Sequence, residues 1–286
     1  MKKIKYFFEF LFISFLFIIY KILGLKIASY IGGKLSETFG PIFRSKKLIK
    51  SNIQRAIPKI NSLEIEDVIK NMWNNYGRTL SEYMFLKDFR NNKFKSNINI
   101  KGHEILEKVK LDKNPVIFVS GHLSNFELMA MEIEKSGVNL SAIYRPLNNI
   151  FLNILMERIR KKYICKKQIK KGTGGVRELL RLYKKGYSIA LMIDQRVSEG
   201  IKSKFFNEEA LTTTIPAQFV KKFNCKVVPI YIERHNNVNF DIKIEEPIEF
   251  SKDTSTEKIT RDLNICLEKM ILKNPGGWIW SHNRWK

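Results

Sequence analysis

Residues 115–135 read PVIFVSGHLSNFELMAMEIEK. A short apolar run, Val116 to Val119, ends in Ser120-Gly121-His122, and Glu127 follows at the head of an apolar-periodic segment through Leu128, Met131 and Ile133. The pattern predicts a strand, a tight turn and a helix start. Ligands of open α/β sheets bind beyond the carboxyl ends of strands, so His122 stands where chemistry is expected.

Neutral imidazole takes a proton from a hydroxyl near pH 7. A carboxylate on its other nitrogen fixes the tautomer and stabilises the imidazolium. On one continuous helix, five residues would separate His122 and Glu127 by about 140°. The pair therefore requires His122 in the turn and Glu127 in the first helical turn, with Ser124 as N-cap. A second reading stays open: Ser124-x-x-Glu127 is also a capping box, in which Glu127 satisfies a helix-end donor.

The same rhythm recurs outward from this stretch. Val138 to Tyr144 predicts a strand that runs into Arg145-Pro146. Tyr187 to Ile193 predicts another, ending in Asp194-Gln195-Arg196. Lys226 to Ile232 is a fourth, with Pro229 suggesting an edge or a bulge; Phe240 to Ile244 is a fifth. Helices are expected in the basic run of Arg158, Arg160, Lys161 and Lys162, read as a solvated face, and after the glycine-rich loop Lys170 to Gly175. Further helices are expected after Thr212-Thr213-Thr214 and over Glu257 to Leu272. The loop is not a P-loop, because no Gly-Lys-Ser/Thr follows. Strands alternating with helices define an α/β fold: a mixed β-sheet flanked by helices. Three polar groups fall at successive strand ends: His122 with Glu127, Arg145, and Asp194 with Arg196. A single cleft is expected to collect them.

Upstream, residues 25–89 read as mainly helical. An amphipathic run opens at Ser62, and Arg78 and Glu82 are spaced to pair on one face. Residues 6–20, YFFEFLFISFLFIIY, are preceded by Lys2, Lys3 and Lys5 and followed by Lys21. No small-x-small cleavage site follows, so an uncleaved membrane anchor is expected, either spanning the bilayer or lying in its interface. Three regions result: an anchor over 1–25, a helical region over 26–90 and an α/β domain over 91–286.

The chain of 286 residues carries a net charge of +23. That excess favours polyanions: nucleic acid, an anionic membrane surface, or phosphorylated or acidic substrates. No basic-aromatic motif or helix-turn-helix supports nucleic acid. Three scattered cysteines, Cys165, Cys225 and Cys266, lack CxxC spacing, so neither a zinc site nor a disulfide framework is indicated. They suit a reducing, cytosol-facing location.

Gly121-His122-Leu123-Ser124-Asn125-Phe126-Glu127 resembles the His-x4-Asp/Glu block of the bacterial lipid A biosynthesis acyltransferases. Tyr144-Arg145-Pro146, Asp194-Gln195, Phe205-Phe206 with Thr212 to Thr214, and the closing Trp278 to Lys286 resemble that family in order. So do the N-terminal anchor, Asn52 to Pro58 and Glu82. Two departures stand out. The family often has Gly-Asn-Trp-Glu where this chain has Ser124-Asn125-Phe126-Glu127, and Asn207 and Glu209 replace the usual Gly and Pro. Both bear on the shape of the acyl or acceptor pocket.

The resemblance implies transfer of a fatty acyl group from a thioester, on acyl carrier protein or coenzyme A, to a hydroxyl of a lipid A precursor or another phosphorylated lipid. It implies His122 as base, Glu127 as the carboxylate that orients it, and substrate contacts at Asn125, Arg145, Asp194 and Arg196. Arg145 is expected on the oxyanion or on a substrate phosphate, and Asp194 is expected to position Arg145 or the backbone. No cofactor or metal is called for. The implied location is the inner membrane, with the catalytic domain facing the cytoplasm and an anionic membrane as partner. Trp278, Trp280 and Trp285 are candidate interfacial anchors or core residues. Two other readings are an acyltransferase for a lysophospholipid or another glycolipid, and a membrane-tethered basic binding protein.

Overall fold

The computed structural model describes residues 2–286. Helices come first: α1 (Lys2–Leu23), α2 (Leu25–Phe43), α3 (Lys46–Ala56), α4 (Ser62–Glu82) and α5 (Leu86–Arg90). Gly24 divides α1 from α2 at φ 79°, a conformation that costs a side-chain-bearing residue energy. Asn61 starts α4 with a capping box to Glu64, worth about 1 kcal/mol. Helices α2 and α4 pack at backbone distance: a Cβ on Gly77 would lie 2.0 Å from the Gly32 carbonyl oxygen.

The sheet begins with β1 (Ile98–Lys101) and α6 (His103–Asp112), then β2 (Ile117–Ser120) and α7 (Glu127–Lys135). Next come β3 (Leu140–Tyr144), α8 (Ile150–Ile159) ending in a π turn over Arg160–Ile164, β4 (Lys167–Lys170), α9 (Thr173–Tyr183) and β5 (Ser188–Met192). A hairpin of β6 (Ile201–Phe205) and β7 (Glu208–Thr212) precedes α10 (Ile215–Phe223). The chain closes through β8 (Val227–His235), β9 (Asn239–Ile244) and α11 (Thr256–Lys273).

Among the described residues, seven strands form one mixed sheet in the order β1-β9-β8-β2-β5-β3-β4. Strand β2 pairs in parallel with β5 and β8, and β3 in parallel with β5. Only β8 and β9 run antiparallel within it. The carboxyl ends of β2, β5 and β3 therefore share one edge, where His122, Asp194 and Arg145 emerge. Strand β2 is buried throughout, as a strand covered on both faces must be.

Several expectations are corrected. Pro229 is neither on an edge strand nor at a bulge. It marks where β8 changes partners, pairing with β2 through Val119↔Pro229 and with β9 from Ile230 onward. A residue without an N–H is tolerated there because the β2 ladder ends at it. Phe206 and Asn207 form the turn between β6 and β7, at φ 50° and 63°. Strand β4, with its burial spread over both faces, carried no alternation that a sequence reading recognises.

Helix α1 is long and apolar enough to cross a membrane, with mean hydropathy 2.0. It does not stand off the body. Phe17 and Tyr20 are buried, Phe7 and Phe10 pack on Phe151 of α8, and Asn149 Nδ2 donates to the Tyr6 carbonyl at 2.8 Å. At its other end Lys21 pairs with Asp88 of α5 and donates to the Met84 carbonyl at 3.2 Å. The outer face of α1 carries Phe8, Phe12, Phe15, Ile18 and Ile22, all exposed.

Candidate active site

His122 lies in the turn after β2, as predicted, and Glu127 is the first residue of α7. The carboxylate against the His122 ring is Asp194. Its Oδ1 lies 2.8 Å from Nδ1, and its Oδ2 accepts the His122 backbone N–H at 2.7 Å and Trp278 Nε1–H at 2.8 Å. Asp194 leaves β5, the immediate neighbour of β2, so sheet order delivers it to the histidine. Gly121 makes the approach feasible: a Cβ there would lie 2.8 Å from Leu267 Cδ1 and 3.3 Å from Asp194 Oδ2. Bonded through Nδ1, His122 keeps Nε2 without a partner among the described residues.

Burial works against charge on both partners, yet each holds the other ionised. The Asp194 carboxylate outweighs burial and raises the His122 pKa above its ordinary 6.5. The His122 ring and the donated N–H groups outweigh burial at Asp194 and hold its carboxyl at about 2.

Glu127 faces a different partner. Its Oε1 accepts from Arg160 Nε and Nη2 at 2.9 and 2.6 Å and from the Tyr83 hydroxyl, and Arg160 Nη2 also meets Tyr83 Oη at 2.9 Å. Expected on a solvated face, Arg160 is instead turned inward by the π turn at the end of α8. Its guanidinium is held strongly protonated: burial opposes the charge, but Glu127 and Tyr83 outweigh it. The capping-box reading of Glu127 is set aside. Phe126 occupies the N-cap position of α7 without a side-chain bond, and Ser124 lies further back at φ 44°.

That unusual backbone is clamped from every side. The Ser124 N–H donates to the Gly277 carbonyl at 2.9 Å, and its Oγ accepts the Arg234 N–H at 3.2 Å. Its carbonyl accepts from Thr79 Oγ1 at 3.1 Å. A strained φ persists only when surrounding contacts over-determine it. Asn125 extends the clamp, donating to Glu82 Oε2 at 2.8 Å. Fully buried Glu82 pairs with Arg234 of β8 and accepts from Ser29 Oγ of α2 at 2.7 Å. The expected Arg78–Glu82 pair does not form. Arg78 donates to Asn74, Ser29 and Asn237, because Arg234 reaches Glu82 from across the sheet.

The remaining predicted residues fall around the same edge. Arg145 is exposed at the end of β3. Asp194 does not touch it but does position backbone, at the His122 N–H. Arg196 donates its backbone N–H to His282 Nε2 at 3.1 Å and its Nε–H to the Lys286 carbonyl at 2.9 Å. Trp278 and Trp280 are fully buried, which removes them as membrane anchors. Sequence reasoning missed Arg160, Tyr83 and the Trp278 contact, since spacing along the chain carries no sign of any of them.

A buried carboxylate, the histidine it orients and a ring nitrogen without a protein partner at a strand end first define an α/β protein equipped for general-base chemistry. The chain belongs to the bacterial lipid A biosynthesis acyltransferase family, whose profile matches residues 1–286, and it is an acyltransferase. It is similar to "Lipid A biosynthesis acyltransferase 2" of Shigella flexneri, 20% identical over 259 residues that cover 89% of this chain and 80% of the relative. It is also similar to the lipid A biosynthesis myristoyltransferase of Escherichia coli (strain K12), 20% identical over 253 residues, covering 87% and 76%. The lipid A biosynthesis palmitoleoyltransferase of the same organism is 19% identical over 265 residues, covering 91% and 85%.

Proposed function

We propose that this protein transfers a fatty acyl group from a pantetheine thioester, on acyl carrier protein or coenzyme A, to a hydroxyl of a lipid A precursor. The observation that carries the reading is the His122–Asp194 pair, which leaves Nε2 without a partner among the described residues. His122 Nε2 removes the proton of the acceptor hydroxyl as its oxygen attacks the thioester carbonyl. Asp194 holds the tautomer and stabilises the imidazolium. The tetrahedral oxyanion collapses, the C–S bond breaks, and the departing thiolate takes the proton from His122. Arg160 sits close enough for its charge to act on His122 and is the cationic donor for the oxyanion; Glu127 and Tyr83 hold it there. Arg145 binds substrate from the rim, and Asn125 supports the turn.

The protein acts at an anionic membrane, the inner membrane, from the cytoplasmic side. Ties near both ends of α1, from Tyr6 to Lys21, span about 22 Å and lay it along the body. Ile42 and Phe43 of α2 and Ile150 and Ile154 of α8, both helices that pack against α1, are exposed as well. A patch of this kind suits a bilayer interface rather than open water, and the charge of +23 suits anionic lipid.

The test is acyl transfer by detergent-purified protein. Acyl-carrier protein and acyl-coenzyme A are offered as donors, with a lipid A precursor and a lysophospholipid as separate acceptors. Product on the lipid A precursor that disappears in His122→Ala supports the reading. Product on the lysophospholipid alone reassigns the acceptor, and activity that survives His122→Ala overturns the mechanism.

A further inference from the structure

His282 is held on two sides. Its carbonyl accepts from Asn52 Nδ2 of α3 at 3.0 Å and from the Arg284 N–H at 2.9 Å. Its ring Nε2 accepts the backbone N–H of Arg196 at 3.1 Å. A backbone N–H only donates, so Nε2 carries no proton and the neutral ring bears its proton on Nδ1. Burial lowers the pKa of this ring, which maintains the neutral form. The Nδ1–H has no acceptor among the described residues, and it is not one of the sealed, unpartnered buried atoms. It is therefore a fixed donor open to solvent.

One loop holds both histidines. Asp194 takes the ring of His122, and Arg196, two residues on, takes the ring of His282. Two residues of extended chain span at most about 7 Å, so the backbone positions that hold the two rings are close, and Arg145 emerges from β3, next to β5, at the same sheet edge. Asp194, His122, Arg284 and Arg145 all lie within electrostatic reach of the His282 ring. Arg145 meets no carboxylate among the described residues, and Asp194 is already occupied by three donors. The sheet edge that carries His122 thus presents an oriented neutral N–H and an exposed guanidinium without a carboxylate partner, with no acceptor for either among the described residues. A phosphate ester supplies several acceptor oxygens and the matching charge.

We infer that His282 Nδ1–H and Arg145 form a subsite for a substrate phosphate beside His122. The assignment rests on the acyl-transfer reading. The phosphate belongs either to the acceptor lipid or to the pantetheine arm of the donor.

Two substitutions separate the ring's two nitrogens. His282→Gln keeps an acceptor for the Arg196 N–H and loses the δ donor, whereas His282→Asn keeps a donor at the δ position. KM is measured in the detergent-purified full chain for phosphorylated and dephosphorylated acceptors, and for acyl-phosphopantetheine and acyl-pantetheine. His282→Gln is expected to raise KM about tenfold or more for the phosphorylated member of one pair and not for its phosphate-free counterpart, with His282→Asn restoring most of the loss. The affected pair names the source. Unchanged KM for both pairs, or His282→Asn as impaired as His282→Gln, overturns the inference. If the wild-type chain transfers no acyl group, the functional reading fails separately. Inorganic phosphate is then titrated while the 15N-coupled ring signal of His282, assigned by its loss in His282→Gln, is followed. A saturable shift supports the subsite, and no shift overturns it.

Discussion

Asp194 holds His122 twice, by its ring Nδ1 at 2.8 Å and by its backbone N–H at 2.7 Å. One carboxylate thus fixes both the ring of His122 and the turn that carries it. Asp194→Asn is expected to keep the fold and to lower kcat about 10³- to 10⁴-fold, the cost of a wrong tautomer in comparable dyads. Steady-state kinetics beside a circular dichroism spectrum check this. Activity near wild type would remove Asp194 from the mechanism.

The pH dependence has a definite sign. His122 must be neutral to act as base, and its pKa is raised, so kcat/KM rises with pH through a value above 6.5. Any residual activity of Asp194→Asn has its acid limb at lower pH, because the imidazolium loses its counter-charge. Stability runs the other way. With Asp194 held at about 2, its contribution is present above the ordinary 3.8 and lost as pH falls through about 2; that of His122 is complete below 6.5 and lost as pH rises through its folded value. The pair thus stabilises most between 3.8 and 6.5, below the pH of best catalysis. An acid limb that stays in place in Asp194→Asn would contradict the coupling.

Glu127 and Arg160 form a buried ion pair, with side chains 8% and 16% exposed. Glu127→Ala leaves a guanidinium without its partner and is expected to cost about 3–5 kcal/mol as well as activity. His122→Ala removes activity and is expected to cost less stability than Glu127→Ala, because Asp194 keeps the residue-122 backbone N–H and Trp278 Nε1–H as donors. Thermal unfolding of the two variants side by side tests the distinction, and equal melting temperatures would contradict it.

Glu82 reaches the turn through Asn125 and through Arg234, whose backbone N–H meets Ser124 Oγ. Glu82→Ala strands Arg234 and is expected to destabilise by about 3–5 kcal/mol. Asn125→Ala breaks only the first of these links, and its expected signature is reduced kcat with a melting temperature close to wild type. A fall in stability as large as that of Glu82→Ala would show Asn125 to be part of the core instead.

Replacing Phe8, Phe12 and Phe15 of α1 together by Ser removes exposed apolar area without touching the buried Phe17 and Tyr20. Each Phe contributes about 1.5–3 kcal/mol when fully buried, so even partial insertion of three predicts a loss of tenfold or more in vesicle binding. Flotation with anionic and neutral vesicles, at low and high salt, measures it. Binding that survives the triple change, or that ignores lipid charge and salt, would assign membrane attachment elsewhere.

The strand, turn and helix of residues 115–135, the shared sheet edge and the place of His122 were legible in the linear chain, because periodicity and turn residues act locally. The partner of His122 was not. Glu127 is five residues away and Asp194 is seventy-two, and proximity in the chain favours the wrong one. Sheet order sets β5 beside β2, and Gly121 leaves room for the carboxylate. The same geometry turns Glu127 toward an arginine that seemed to belong to solvent, through a π turn that no spacing announces. Residue types announced a base and carboxylates near one edge; long-range packing chose which carboxylate meets the base, since a hydrogen bond depends on ångströms of separation and not on distance along the chain.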